Sequence, residues 1–148
     1  MAIALELEIH IGRPPAEVYA HLAAVERWPE WLIASGIVRV ERVEGGSGER
    51  LRVEQRVAGR AATLDARITA AEPPSRFALE GRDADGVGVV IDASLVPDGL
   101  GTRLRWRLEL RLPLRYRMLE GMVAPQARRA ATLDLEAFKR RLESVAAD

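Results

Sequence analysis

The sequence predicts an α+β fold: one strand, a short helical region, six further antiparallel strands and a long C-terminal helix. Three observations carry this expectation. Seven segments between residues 2 and 112 alternate apolar and polar residues, the period of strands with one buried face. Between the first and second of them, residues 14–25 switch to helical spacing. After residue 113 the turn signals almost cease, and Leu, Ala, Arg and Glu dominate to residue 146.

The first strand, residues 2–11, sets Ile3, Leu5, Leu7, Ile9 and Ile11 against Ala2, Ala4, Glu6, Glu8 and His10, and Gly12 ends it. A helix follows over 14–25, started by Pro14-Pro15, with Val18, Leu22 and Val25 on one face. The next stretch, RWPEWLI, holds two of the three tryptophans, Trp28 and Trp31, around Pro29. Proline suits the first position of a helix, so a second short helical turn is expected to start there.

Period two returns at IVRVERVE (37–44), which ends at the GGSG turn (45–48). LRVEQRV (51–57) places Leu51, Val53, Gln55 and Val57 on one face, and Gly59-Arg60 turns the chain into TLDARITA (63–70), which Pro73-Pro74 stops. RFALEG (76–81), VGVVIDASLV (87–96) and TRLRWRLELRL (102–112) complete the meander, the last two joined by the turn PDGLG. In the final strand Leu104, Trp106, Leu108 and Leu110 alternate with arginines, which are expected on a solvated face opposite acids such as Glu54 and Asp65. In the C-terminal helix Met118, Leu119 and Met122 form the apolar stripe before Pro125. Ala131, Leu135, Phe138, Leu142 and Val145 form it afterwards, rotated by more than about 90°. A kink at 121–125 is therefore expected, aiming Met118 and Met122 at the sheet and packing Phe138 and Leu142 near the first strand.

The bulk numbers exclude several classes of function. With 148 residues a single domain spanning 1–148 is expected, with one core. Twenty-two basic and 22 acidic residues cancel, so no global field favours nucleic acid or an anionic membrane. No cysteine is present, which removes disulfides, thiolate ligands and cysteine nucleophiles. Glu6 and Glu8 interrupt the apolar N-terminal stretch, which argues against a signal peptide, and no stretch reaches the ~18 apolar residues of a membrane span. A cytoplasmic protein is expected.

In this order the elements resemble the START-like or SRPBCC superfamily, the helix-grip fold, in its polyketide cyclase/dehydrase and lipid-transport branch. The stretches that carry the resemblance are IGRPPAEVYAHLAAVERWPEW (11–31), EPPSRFAL (72–79), PDGLGTRLRW (97–106) and DLEAFKRRLE (134–143). The resemblance implies a seven-stranded antiparallel sheet wrapped around the C-terminal helix, two short helices between strands 1 and 2, and a cavity between sheet and helix. Trp28 and Trp31 would then cap the core or line the cavity's entrance, as plugs or as a gate.

Catalytic signatures are sparse. His10 lies on the outer face of its strand and His21 has no acid at ligand spacing, so no metal and no cofactor are expected. The serines show no nucleophile elbow, and GGSG lacks the residues of a phosphate loop. The expected ligand cavity is assigned to Trp28, Trp31, Gln55, Phe77, Leu79, Trp106, Leu108, Met118, Met122, Gln126 and Arg129, with Val89, Ile91, Leu104 and Leu133 beside them and Tyr116 near the helix start. Methionines give such a surface the ability to adapt to irregular ligands. The leading function is binding or transport of a hydrophobic small molecule: a lipid, isoprenoid, quinone or polyketide. The alternative is a polyketide cyclase/dehydratase-like enzyme in the same cavity, with Gln, Arg and Tyr orienting the substrate and moving protons. A third is a protein-interaction role with a cavity too small for a ligand. Oligomeric state is not legible.

Overall fold

The computed structural model describes residues 2–43, 49–57 and 59–145. The GGSG turn and the side chains of Val57 and Val145 lie outside them. Strand β1 (Ala2–Ile11) leads into helix α1 (Pro15–Ala23) and a 3-10 helix (Val25–Glu30). The meander follows as β2 (Ile37–Val43), β3 (Arg50–Val57), β4 (Arg60–Glu72), β5 (Arg76–Arg82), β6 (Gly88–Asp98) and β7 (Gly101–Arg111). A second 3-10 helix (Leu114–Leu119) runs into helix α2 (Glu120–Val145).

The seven strands make one antiparallel sheet in the order β1-β7-β6-β5-β4-β3-β2. Each meander strand pairs with the next in the chain, and β1 closes the other edge against β7 in unbroken register from Ala2↔Arg111 to Ile11↔Thr102. Alternation fixes this register, because a slip of one residue would turn Ile3, Leu5 and Ile11 out to solvent and Glu6 and Glu8 into the core. The β6–β7 turn needs Gly99 at φ 62°, a backbone region that side-chain-bearing residues rarely occupy.

Two local expectations are corrected. Pro29 does not start the turn around the tryptophans. The 3-10 helix begins at Val25, Pro29 is its fifth residue, and Trp31 follows its end, where its amide bonds to the Trp28 carbonyl at 3.1 Å. The arginines of β7 also have other partners than Glu54 and Asp65, because the sheet order puts β7 between β1 and β6. Arg105 pairs with Glu6 at 3.2 Å, and Arg103 pairs with Glu8 at 3.3 Å and Asp98 at 3.5 Å.

The expected orientation of the C-terminal helix is corrected as well. Residues 114–119 are 3-10 rather than α, and α2 then continues through Pro125 without interruption. Its buried stripe is Ala131, Asp134, Leu135, Phe138 and Leu142. Carried back at about 100° per residue, this phase meets Ala127, Ala124 and Glu120. Met118 and Met122 lie on the opposite phase and are 95% and 64% exposed, and Gln126 and Arg129 are exposed beside them. The four residues do share one face, as their spacing requires. That face is directed at solvent, because the larger stripe on the second half has already assigned the other side to the sheet.

The core fills the space between the sheet's inner face, α1, the first 3-10 helix and the second half of α2. Cross-strand rows organise it. Phe77, Ala93 and Trp106 stand in register and are fully buried, and the next row, Leu79, Ile91 and Leu108, grades from buried to half-buried. The row after that, Gly81, Val89 and Leu110, continues the same inner face and is half-buried throughout, with Val89 packed against the core.

Candidate functional site

On the inner face sits an aromatic cluster built from five elements: α1, the first 3-10 helix, β5, β7 and α2. Trp28 meets Trp31, Phe77 and Trp106 at ring-centroid distances of 5.9, 6.1 and 6.3 Å, mostly edge-on. Trp31 meets Trp106 at 5.9 Å and Phe138 of α2 at 4.4 Å, and Tyr19 of α1 meets Phe77 at 6.3 Å. Such geometries add roughly 0.5–1.5 kcal/mol per pair beyond area burial. The Trp28 indole N–H donates to the Leu22 carbonyl at 2.8 Å, so the ring is buried with its one polar group satisfied. A 3-10 turn of six residues has no core of its own, and its tryptophans complete the core of the sheet.

Beside this cluster α2 is tied to the loop before β2. Asp134 accepts hydrogen bonds from the Ala34 amide at 2.8 Å and the Ser35 amide at 2.9 Å, and is only 2% exposed. Burial pushes its carboxyl above the usual aspartate range, against the opposing pull of the hydrogen bonds from Ser35 and Ala34. The Ser35 carbonyl in turn accepts from the Gln55 side-chain amide at 2.9 Å. Gln55 therefore faces inward as its strand pattern required, with a donor already engaged by the protein. Sequence reasoning missed Asp134 as a separate feature. Its signal was an acid at a position that the helical phase puts inside.

Beyond the cluster, small residues continue the inner face of the sheet and the inward phase of α2. On the sheet, Ala66 pairs with Gly81, and Val89 and Leu110 continue the row, half-exposed. A Cβ on Gly81 would stand 3.1 Å from that of Ala66, so even a methyl group would crowd this floor. On the helix, Ala124 and Ala127 carry the inward phase and are also half-exposed. Glu120 shares that phase, and its Oε1 is buried with no hydrogen-bond partner. These helix residues were not singled out in the sequence, since alanines give little hydropathy signal.

The structure thus gathers Trp28, Trp31, Phe77, Leu79, Trp106 and Leu108 on one inner surface, with Gln55 at its margin, and leaves Met118, Met122, Gln126 and Arg129 outside. Tyr116 is half-buried with the Arg115 guanidinium 5.0 Å above its ring. A concavity of about 380 Å³ is lined by the charged side chains Arg50, Arg52, Asp65, Arg67, Glu80 and Arg82 together with Ala66, Gly81 and Val89, and one of about 120 Å³ lies among Val38, Glu54, Gln55 and Arg56. Among the described residues no group of three His, Asp or Glu side chains is placed to hold a metal ion. No helix there is long and apolar enough to cross a membrane.

A seven-stranded antiparallel sheet gripping a long C-terminal helix defines the helix-grip class. The family model described as polyketide cyclase / dehydrase and lipid transport matches residues 2–143, and the chain belongs to that family. Solved structures share the fold at low identity. A START superfamily protein from Mycobacterium smegmatis superposes with TM-score 0.80 at 14% identity, over 96% of this chain and 98% of that one. The Zhui aromatase/cyclase from Streptomyces sp. R1128 superposes with TM-score 0.79 at 19% identity, over 97% and 94%. The protein TTHA0849 from Thermus thermophilus gives TM-score 0.77 at 20% identity, over 96% and 98%. No curated protein matches the chain by sequence.

Proposed function

We propose that this protein binds and carries a hydrophobic or amphipathic small molecule in the trough between the sheet's inner face and the first half of α2. The observation that supports this reading best is the incomplete burial of the inner row Gly81, Val89 and Leu110 and of Ala124 and Ala127 on the inward phase of α2. Inward-facing apolar surface left open to water is what a ligand of the same character would cover. Small residues on both walls leave width for it, and the aromatic cluster gives the trough a rigid end. The family description, which includes lipid transport, agrees with this reading.

A cyclase would need polar groups converging on the ligand. Gln126 and Arg129 are exposed on the far phase of α2, and one of the two Gln55 N–H donors is engaged by the Ser35 carbonyl. Glu120 is the ionisable group that the inward phase of this half-helix presents, and its unpartnered oxygen suits a ligand with one hydroxyl or amine donor at its end. One carboxylate orients such a ligand but supplies no acid–base pair, which favours carriage over catalysis.

Titration with fatty acids, quinones and aromatic polyketides, followed by tryptophan emission, tests this reading. Trp106 lies two residues from Leu108 on the same strand face, so an apolar occupant changes its surroundings. A saturable change with at least one class is expected. Unchanged emission across the panel, with no ligand recovered by organic extraction of the purified protein, contradicts it.

A further inference from the structure

The exposed face of residues 114–133 is apolar where the core cannot use it. Leu114, Met118, Leu119, Met122 and Leu133 are 76%, 95%, 45%, 64% and 50% exposed. On a helical projection of α2, Met122, Gln126, Arg129 and Leu133 fall within an arc of about 60°, opposite the buried stripe, and Met118 precedes them near the end of the 3-10 helix. An apolar strip of this kind on a protein surface marks a contact with something else.

The charge around it is one-sided. Between residues 110 and 133 there are five arginines and a single acid, Glu120, in a chain that is neutral as a whole. Glu120 lies on the inward phase, so between residues 110 and 133 the outward face carries only cations, and Glu136 is the first acid to follow on it. Arg111 and Arg115 pair with Glu109 and Asp85. Among the described residues Arg117, Arg128 and Arg129 have no ion pair. Protruding methionines and leucines flanked by unpaired arginines have the composition of a segment that lies in the plane of a bilayer interface.

We propose that this face docks on an anionic lipid bilayer, with Leu114, Met118 and Met122 entering the headgroup boundary and Arg117, Arg128 and Arg129 meeting lipid phosphates. A second copy of the chain is the poorer occupant, because a two-fold contact would set the same uncompensated arginines against each other. Nucleic acid is poorer too, since the apolar side chains would face phosphates and the segment's one aromatic ring, Tyr116, is half-buried. The inference concerns the outward face of residues 114–133 and stands whether or not the trough holds a ligand.

The test is co-sedimentation of the full chain with phosphatidylcholine vesicles, with and without phosphatidylglycerol. The wild type is expected to sediment with the anionic vesicles only, and less as salt is raised. Arg128→Gln with Arg129→Gln should weaken binding about fivefold per arginine. Met118→Ser with Met122→Ser should weaken it about tenfold or more. Leu100→Ser, on the β6–β7 turn and 98% exposed, should change nothing. A wild type that stays in the supernatant overturns the proposal, as do variant pairs that sediment like the wild type or a Leu100→Ser loss as large as theirs. A dimer in sedimentation velocity that the methionine pair dissolves would assign the face to self-association instead.

Discussion

Replacing Asp134 by alanine tests the tie between α2 and the loop before β2. The carboxylate satisfies two backbone amides, at 2.8 and 2.9 Å, from a site 2% exposed to solvent. Its removal leaves both donors without a partner, at about 1–3 kcal/mol each. Relief from burying a charge returns part of that, so a net loss of about 2–4 kcal/mol is expected, or a drop of roughly 5–15 °C in Tm for a chain of this size. Asp134→Asn keeps one acceptor and should lose about half as much. The pH dependence gives a second, independent sign. Because the folded carboxyl titrates above its unfolded value of about 3.9, its stabilising share is complete below that value and falls away as pH rises through the folded one. The stability advantage of the wild type over Asp134→Asn should therefore shrink as pH rises across that window. Urea unfolding from pH 3 to 7 measures it. A loss below about 0.5 kcal/mol for Asp134→Ala, or a difference that grows with pH, would refute the reasoning.

Other perturbations follow from the same structure. Glu143 accepts from the Gly12 amide at 2.8 Å and pairs with Lys139 at 2.6 Å, and the Lys139 hydrogen bond, then the Gly12 amide, hold its carboxyl below the usual range. Its contribution is present above the unfolded value of about 4.3 and lost as pH falls through the folded one, so Glu143→Gln should flatten the acid limb of a stability profile. Gly101→Ala would put a Cβ 2.4 Å from the Ile11 carbonyl oxygen, and thermal melts should show a loss of about 1–3 kcal/mol as β1 and β7 are forced apart. Phe77→Ala, which opens the aromatic cluster between Tyr19 and Trp28, should cost roughly 3–5 kcal/mol in chemical denaturation.

The strands were legible because period two assigns every residue of β1 and β7 to a face without reference to anything else. The meander order followed from short turn signals between them. Turning the sheet into specific charge pairs was not possible from the chain alone. Glu6 and Glu8 become the partners of Arg105 and Arg103 only because β1 returns to lie beside β7, a non-local fact. Along α2 the second half was legible through Leu135, Phe138 and Leu142. The first half misled, because Met118 and Met122 outweigh Ala124 and Ala127 in any hydropathy count, while the buried phase passes through the alanines. Trp28 and Trp31 were recognised as belonging to the sheet's end, and their edge-on packing against Trp106 and Phe77 depends on a cross-strand row that only the register defines. Asp134 reaches amides about 100 residues away, so its partners were invisible, although its inward phase among apolar residues was not.

The proposed seat of the hydrophobic ligand is the alanine-lined inward side of α2. Native mass spectrometry of the wild type and of Ala127→Trp, each incubated with the same panel of fatty acids, quinones and aromatic polyketides, tests it most directly. Ala127 is half-exposed, so the variant should fold, and the indole should occupy the trough. The account predicts a one-to-one adduct on the wild type and its loss on Ala127→Trp at unchanged thermal stability. An adduct of equal intensity on both proteins, or none on the wild type with any ligand class, would contradict it.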